Sequence, residues 1–148
     1  MNLAKPTDGK LTTKRVWMAG GLSILGSVIA NLAVYWVGRT IVNPDPGFQP
    51  LAGPGPTIFF TVMFLIAATL VYLAINAYTK QPVRIFTIVA TVVFLVGLIP
   101  DFLLFGEGVA ASMGMGVATP GAVVLLIIMH IVAFAITLWA FTRWAHSR

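Results

Sequence analysis

The chain has 148 residues, of which 59% are hydrophobic and 9% are charged, and its formal net charge is +5. Soluble domains carry about 25% charged residues, so this composition excludes an ordinary soluble fold and indicates a membrane protein. Cysteine is absent, which excludes disulfides, thiolate catalysis and iron–sulfur clusters. The basic residues stand at the ends of apolar stretches and form no groove-reading pattern, so we expect no nucleic-acid partner.

Four long apolar stretches follow one another along the chain. They cover residues 16–38, 57–79, 83–105 and 119–142. Each can cross a bilayer, because about 20 apolar residues span the hydrocarbon core. We therefore predict an all-α membrane protein in which residues 15–148 form a bundle of four transmembrane helices and residues 1–14 form a polar cytoplasmic tail. The lipid bilayer is then its first partner.

The charges that flank these stretches predict an orientation, because Lys and Arg are enriched in cytoplasmic loops. If the N-terminus is inside, Arg39 alone falls outside, and all the other basic residues fall inside: Lys5, Lys10, Lys14, Arg15, Lys80, Arg84, Arg143 and Arg148. We predict a multi-pass protein of the cell inner (plasma) membrane with both termini in the cytoplasm. The first span exceeds the h-region of a cleavable signal peptide and is interpreted as a retained signal anchor.

Prolines mark the expected helix starts. Pro56, Pro82 and Pro120 are each expected to open a span, since a proline in the first turn lacks only an N–H that has no partner there. Thr119 is expected to cap the fourth helix.

The connections differ in length and composition. The turn at Lys80–Gln81 is very short, which predicts an antiparallel hairpin of the second and third spans. Residues 40–55 are rich in Pro and Gly and are predicted to be irregular. Residues 106–118 are rich in Gly, Ala and Met, so this loop is predicted to lie along the membrane surface or to cover the outer end of the bundle.

Polar side chains inside the spans are the first candidates for function. Asn31 continues a row of small residues at a spacing of four: Ala19, Ser23, Ser27. Such a row favours close helix packing, in which Asn31 makes an interhelical hydrogen bond as an alternative to a binding role. Asn76 lies near the inner end of the second span and is expected to cap or to snorkel.

His130 lies near the centre of the fourth span and is expected to face the bundle, since an imidazole that faces lipid is unfavourable. Its role stays open between a neutral hydrogen-bonded histidine, a proton relay, and a metal or haem ligand. A bis-histidine haem needs a second intramembrane histidine, and the other histidine, His146, lies in the C-terminal tail. We therefore expect no haem, no metal site and no other cofactor.

Asp101 follows Pro100, which is expected to bend or end the third helix. Asp101 is interpreted as solvated at the interface or paired with Arg39, and alternatively as a proton donor to the interior. At 1.5 Å per residue, Asn31 lies about 6 Å and Asp101 about 12 Å further out than His130. If the three faces converge, these residues form a polar track, which is the predicted binding site.

Several of these features together resemble a known family. They are a glycine-rich first helix that runs from Gly20 into Asn31 and Tyr35, Pro100 at the outer end of the third helix, and the Met129–His130 pair in the fourth. The pattern resembles the small four-span membrane proteins of unknown function found mainly in actinobacteria and Chloroflexi. The resemblance covers most of the chain and implies a four-helix membrane fold. It implies no activity and assigns no role to Asn31 or His130.

Catalytic constellations are absent from the sequence: it has no glycine-rich phosphate loop after a strand, no paired intramembrane carboxylates and no Ser/His/Asp set. We therefore predict that the protein is not an enzyme, and an enzyme acting on a lipid or quinone is disfavoured. One hypothesis is a structural or accessory protein, or a subunit of a larger complex with other membrane subunits as partners. The alternative is a small carrier, proton-relay or lipid-binding protein that uses the polar track.

Overall fold

The computed structural model describes residues 10–144, and every regular element in that range is helical. The elements are α1 (Thr13–Val42), a 3₁₀ turn (Gln49–Leu51), α2 (Pro54–Tyr78), α3 (Pro82–Leu103), the one-turn α4 (Val109–Ser112) and α5 (Pro120–Thr142). The four long helices are each long and apolar enough to cross a membrane. The chain is therefore an all-α multi-pass membrane protein, as predicted. Lys5, His146 and Arg148 lie outside the described residues.

The helix starts follow the predicted chemistry with one shift. Pro82 and Pro120 are the first residues of α3 and α5. The Thr119 hydroxyl accepts a hydrogen bond of 3.2 Å from a backbone N–H in the first turn of α5, which confirms the cap. α2 begins at Pro54 rather than Pro56. Pro54 can occupy the first turn as well as Pro56 can, because an N–H at that position has no partner within the helix.

The connections between the long helices fall at two ends of the bundle. We call the end formed by residues 10–12, 79–81 and 143–144 the termini end, and the end formed by residues 43–53 and 104–119 the loop end. α1 packs extensively against both α2 and α5, whereas α3 packs on α5 and contacts α2 much less. α3 is therefore a peripheral helix.

The face of α1 that makes these contacts carries the predicted row of small residues. Every member of the row is buried: Ala19, Ser23, Ser27 and Asn31. The hydroxyl oxygens of Ser23 and Thr137 lie 2.9 Å apart and link α1 to α5. On the side of α2, a Cβ added at Gly20 would fall 2.5 Å from Thr69 Oγ1. Small residues thus permit the close approach of three helices.

An aromatic cluster closes the termini end. The rings of Tyr72 on α2, Phe86 on α3 and Phe141 on α5 pack with centroids 4.7 to 5.0 Å apart. All three side chains are fully buried. This cluster joins α2 and α3 close to their short connecting turn.

The chain segment before α1 belongs to the same end. The Asn76 side-chain amide accepts from the Leu11 N–H at 3.0 Å and donates to the Leu11 carbonyl oxygen at 2.9 Å. Leu11 is buried against the aromatic cluster. Asn76 therefore anchors the N-terminal segment, and ordered packing reaches into the range 1–14 that the sequence assigns to a tail.

The two loops at the loop end pack on each other. The Gln49 N–H donates to the Met115 carbonyl oxygen at 2.9 Å. Gly116 has a φ of 84°, and a Cβ there would fall 2.2 Å from the Gly47 carbonyl oxygen, so only glycine fits. Phe48 of the first loop is completely buried, in one hydrophobic cluster with Tyr35 of α1 and Ala110 of the second loop. The second loop thus covers the end of the bundle, one of its two predicted positions.

Candidate functional site

A cleft lies between α2 and α3, on the loop-end side of the aromatic cluster. It has a volume of about 500 Å³ and is open on one side. Its walls come mainly from α2, α3 and α5. The loop segment at Met113 and Met115 borders it at the loop end of the bundle. Pockets for small molecules commonly measure about 300–1,000 Å³ and are largely apolar. The cleft is therefore large enough for a ligand.

Phenylalanine rings make up much of the cleft wall. Phe94 on α3 and Phe134 on α5 stack almost in parallel, with centroids 4.3 Å apart and an interplanar angle of 9°. Phe60 and Phe64 line the α2 side and stack with centroids 6.3 Å apart. Both of these α2 side chains are exposed, so the cleft opens toward the lipid between α2 and α3.

All three residues of the predicted polar track line this cleft. Asn31 reaches it from α1, Asp101 from α3 and His130 from α5. The structure therefore brings the three helices' polar groups to one space. That they bind a ligand stays a prediction.

Asp101 and His130 are in direct contact. Asp101 Oδ2 lies 2.9 Å from His130 Nδ1, which in turn lies 3.0 Å from the Leu126 carbonyl oxygen. Nδ1 carries one hydrogen at most, so the two acceptors compete for it. Within the part of the chain that the structure describes, Oδ2 has no aligned hydrogen bond and Nε2 has no partner. The pair thus retains polar capacity that a ligand can use.

The surroundings of Asp101 correct two expectations. Asp101 is neither solvated nor paired with Arg39, because it is 6% exposed and faces the cleft. The Arg39 guanidinium instead donates to the Tyr35 hydroxyl and lies over the same ring. Pro100 does not end α3, which continues to Leu103 and keeps Asp101 on the helix. A proline near a helix end removes a single hydrogen bond, so one more turn can form.

The relative depths of Asp101 and His130 also differ from the expectation of about 12 Å. Counted at 1.5 Å per residue, His130 lies about 15 Å from the start of α5, and Asp101 about 3 Å from the end of α3. The two meet because α3 ends well short of the level at which α5 begins. The loop that contains α4 connects the end of α3 to the start of α5.

His130 faces the bundle only in part. Its side chain is 45% exposed, although Nδ1 is directed at Asp101. The exposure arises because His130 stands in the wall of an open cleft rather than in a closed core.

Asn31 has one satisfied and one unsatisfied end. Its Nδ2 donates to Thr61 Oγ1 on α2 at 3.1 Å, which is the predicted interhelical bond. Its Oδ1 is buried and has no hydrogen-bond partner among residues 10–144, and the same is true of Thr57 Oγ1, which also lines the cleft. Buried polar atoms without partners are rare in folded proteins and call for an explanation.

The sequence reasoning missed the α2 contribution. Thr57 and Thr61 stand four residues apart, as do Phe60 and Phe64, so both pairs lie on adjoining strips of one helix face. That periodicity could have identified α2 as the wall opposite the polar track.

A metal site requires a denser group of ligands than the cleft offers. Among the described residues, no group of three His, Asp or Glu side chains could hold a metal ion. The expectation that the protein carries no cofactor stays a prediction.

Comparison with known proteins adds a family assignment. Searches of curated proteins and of solved structures give no match. A family model described as a family of unknown function (DUF6069) matches residues 11–147, which include all four long helices and every residue of the cleft. The chain therefore belongs to this family of unknown function.

Proposed function

We propose that the protein binds a membrane-soluble amphiphile in the cleft between α2 and α3. The polar head of the ligand contacts Asp101, His130 and Asn31, and its apolar body lies along the phenylalanine walls. The observation that carries this proposal is the meeting of three intramembrane polar side chains from three helices in one open apolar cleft.

The unsatisfied atoms support a ligand rather than simple packing. Asn31 lines the cleft, and its Oδ1 is buried without a partner among the described residues, although its Nδ2 already joins α1 to α2. A buried polar group without a hydrogen bond is unfavourable by about 1–3 kcal/mol. The head of a bound amphiphile would satisfy this oxygen.

The shape of the cleft supports an elongated apolar body. Its α3 wall runs from Asp101 to Phe86, which is about 22 Å along the helix axis. Gly97 stands on this wall one helical turn from Asp101, and a Cβ added there would meet no atom within 4 Å. An alkyl chain can therefore enter from the lipid and lie against α3.

Photolabelling tests the proposal. The protein, reconstituted in phosphatidylcholine nanodiscs, is labelled with a dodecanol probe that carries a diazirine on its chain, and the labelled residues are mapped by mass spectrometry. We expect labels concentrated on cleft residues such as Phe64 and Phe94. Gly97→Leu should fill the cleft and reduce this labelling about tenfold, since one buried leucine changes binding by more than 1.4 kcal/mol.

The matched control is Gly21→Leu, which places the same side chain on an exposed face of α1 with no atom within 4 Å of its Cβ. It should leave the labelling of the cleft unchanged. Labels spread evenly over the exposed faces of all four helices, with no effect of Gly97→Leu, would show that the cleft holds only bulk lipid.

The accessory-subunit hypothesis stays a prediction. α3 leaves most of its span unburied, but lipid chains cover such a surface as readily as a partner helix does. Co-purification from native membranes tests it, and recovery of the protein alone would count against it.

For the cleft itself we propose binding without chemical conversion, in keeping with the prediction of no enzyme activity.

We propose that the protein lies in the cell inner membrane of a bacterium, with both termini in the cytoplasm. Support comes from the charges that the structure places at the termini end, where Lys10, Lys80 and Arg143 lie, against Arg39 near the loop end. The polar end of the cleft would then lie in the outer half of the bilayer.

A further inference from the structure

We infer that the ligand of the cleft is a lipophilic amine, bound through its protonated ammonium head. This inference rests on the proposed function and adds the chemical class of the ligand. It follows from the kind of polar atoms that the cleft leaves unsatisfied, from their charge and from the rings around them.

The atoms without a hydrogen-bond partner at the polar end of the cleft are mainly acceptors. Asn31 Oδ1 only accepts hydrogen bonds, and the Thr57 hydroxyl can accept as well; neither has a partner among the described residues. An ionised Asp101 also only accepts, and its Oδ2 competes with the Leu126 carbonyl oxygen for the single hydrogen of His130 Nδ1. A suitable head group therefore donates. An ammonium group offers up to three N–H donors, whereas an alcohol offers one and a carboxylate offers none.

Charge leads to the same head group. Asp101 and His130 are the titratable side chains among the residues that line the cleft, and the lining residues of α1 and α2 and of the loop at Met113 and Met115 carry no charge. With a neutral imidazole, the cleft has a net charge of −1 in an apolar setting. A neutral imidazole contacts the Asp101 carboxylate without neutralising it, and a buried carboxylate needs a cationic partner. The Arg39 guanidinium is engaged with Tyr35.

The phenylalanine walls fit a cation better than an anion. Aromatic faces carry a negative potential that attracts ammonium groups, and the effect grows when water is excluded. Phe94 and Phe134 lie on the termini-end side of the Asp101–His130 contact. Phe60 and Phe64 lie on the opposite wall, which α2 forms. An anionic head would meet a carboxylate, an amide oxygen and π faces, all of which repel it.

Competition between head groups tests the inference. The diazirine dodecanol probe is bound to the full-length protein in phosphatidylcholine nanodiscs at pH 8, and unlabelled dodecylamine, dodecanol or dodecanoic acid is added. We expect dodecylamine to displace the probe at a concentration about tenfold lower than dodecanol does, because charge-assisted hydrogen bonds are stronger than neutral ones. Dodecanoic acid should be the weakest competitor. In Asp101→Asn, which preserves shape and removes the charge, dodecylamine and dodecanol should compete equally.

Each outcome has a distinct meaning. If the probe labels the cleft but the three competitors act equally, the cleft binds amphiphiles and the inference of an amine is wrong. If the probe does not label the cleft, the proposed function fails first. If Asp101→Asn still labels the cleft and still prefers dodecylamine, the carboxylate does not select the head group, which also overturns the inference.

Discussion

Asp101 Oδ2 on α3 and His130 Nδ1 on α5 lie 2.9 Å apart at the polar end of a cleft that is otherwise lined by uncharged side chains. A carboxylate and an imidazole at this distance respond to each other's charge. When the imidazole is protonated it neutralises the carboxylate itself, and when it is neutral the carboxylate remains available to a cationic ligand.

This competition predicts a pH dependence of amine binding. Lowering the pH favours the protonated imidazole, whereas an alkylamine stays protonated between about pH 8 and pH 5. Dodecylamine should therefore displace the photolabel less effectively at pH 5 than at pH 8. In His130→Gln, which cannot protonate, the displacement should be the same at both pH values. An unchanged pH dependence in that variant would show that His130 does not compete with the ligand.

A second prediction concerns the contact of α1 with α2. A methyl group at position 20 would fall 2.5 Å from Oγ1 of Thr69, a β-branched residue whose hydroxyl is bonded to the Leu65 carbonyl oxygen. The side chain of Thr69 cannot easily turn away, so Gly20→Ala should lower the free energy of unfolding in detergent by about 1–3 kcal/mol. Gly21→Ala is the control: with nothing within 4 Å, it should be neutral or slightly stabilising. Equal effects of both changes would contradict the close contact.

A third prediction compares two tyrosines. The Tyr72 hydroxyl is buried and has no hydrogen-bond partner among residues 10–144. Tyr72→Phe removes this hydroxyl while it keeps the ring in the aromatic cluster, so stability should stay equal or rise by up to about 1 kcal/mol. Tyr35→Phe instead removes an acceptor of the Arg39 guanidinium and should destabilise by about 1 kcal/mol. Thermal unfolding of the two variants in the same detergent measures both stabilities. A Tyr72→Phe variant less stable than Tyr35→Phe would contradict this prediction.

A fourth prediction concerns the anchor of the N-terminal segment. Asn76→Ala removes both hydrogen bonds to the Leu11 backbone and should destabilise the protein by about 1–3 kcal/mol. Amide hydrogen exchange at Leu11 should accelerate by at least tenfold as the protecting acceptor is lost. Gln81→Ala, in the exposed turn at the same end, is the control and should leave exchange at Leu11 unchanged. Unchanged exchange in Asn76→Ala would mean that Leu11 is held by packing alone.

A fifth prediction tests the proposed orientation, and the absence of native cysteine makes it simple. Single cysteines are introduced as Ser112→Cys at the loop end and Gln81→Cys at the termini end, both at exposed positions. A membrane-impermeant maleimide added to intact cells should label the first variant and not the second. The reverse pattern would place the termini outside and would contradict the distribution of basic residues as a topology signal.

The fold follows from the sequence to a large extent because lipid imposes simple rules. Long apolar stretches must be helical to satisfy their backbone groups in lipid, which is why four helices appear where four stretches were predicted. Thr119 and Pro82 mark helix starts by local chemistry alone. The row from Ala19 to Asn31 predicts the packing face of α1, since small residues permit close contact.

The site depends on information that is not local. The depth estimate for Asp101 assumed that all helices begin and end at matching levels, whereas α3 ends well short of the level at which α5 begins. That shift brings Asp101 against His130 and out of reach of the expected solvent and Arg39. The cleft also depends on the limited contact between α2 and α3, which reflects the combined packing of four helices and has no signature in either helix alone.

The most direct test of the account is the distance from a bound amine to Asp101. Solid-state NMR dipolar recoupling between ¹⁵N-dodecylamine and ¹³C-labelled aspartate, in protein reconstituted at pH 8, measures this distance. We predict a nitrogen-to-carboxyl-carbon distance of about 4 Å or less, as in a charge-assisted hydrogen bond, and its loss in both Asp101→Asn and Gly97→Leu. A recoupling signal that is absent in the wild type, or that persists in Asp101→Asn, would contradict the binding of an amine at this site.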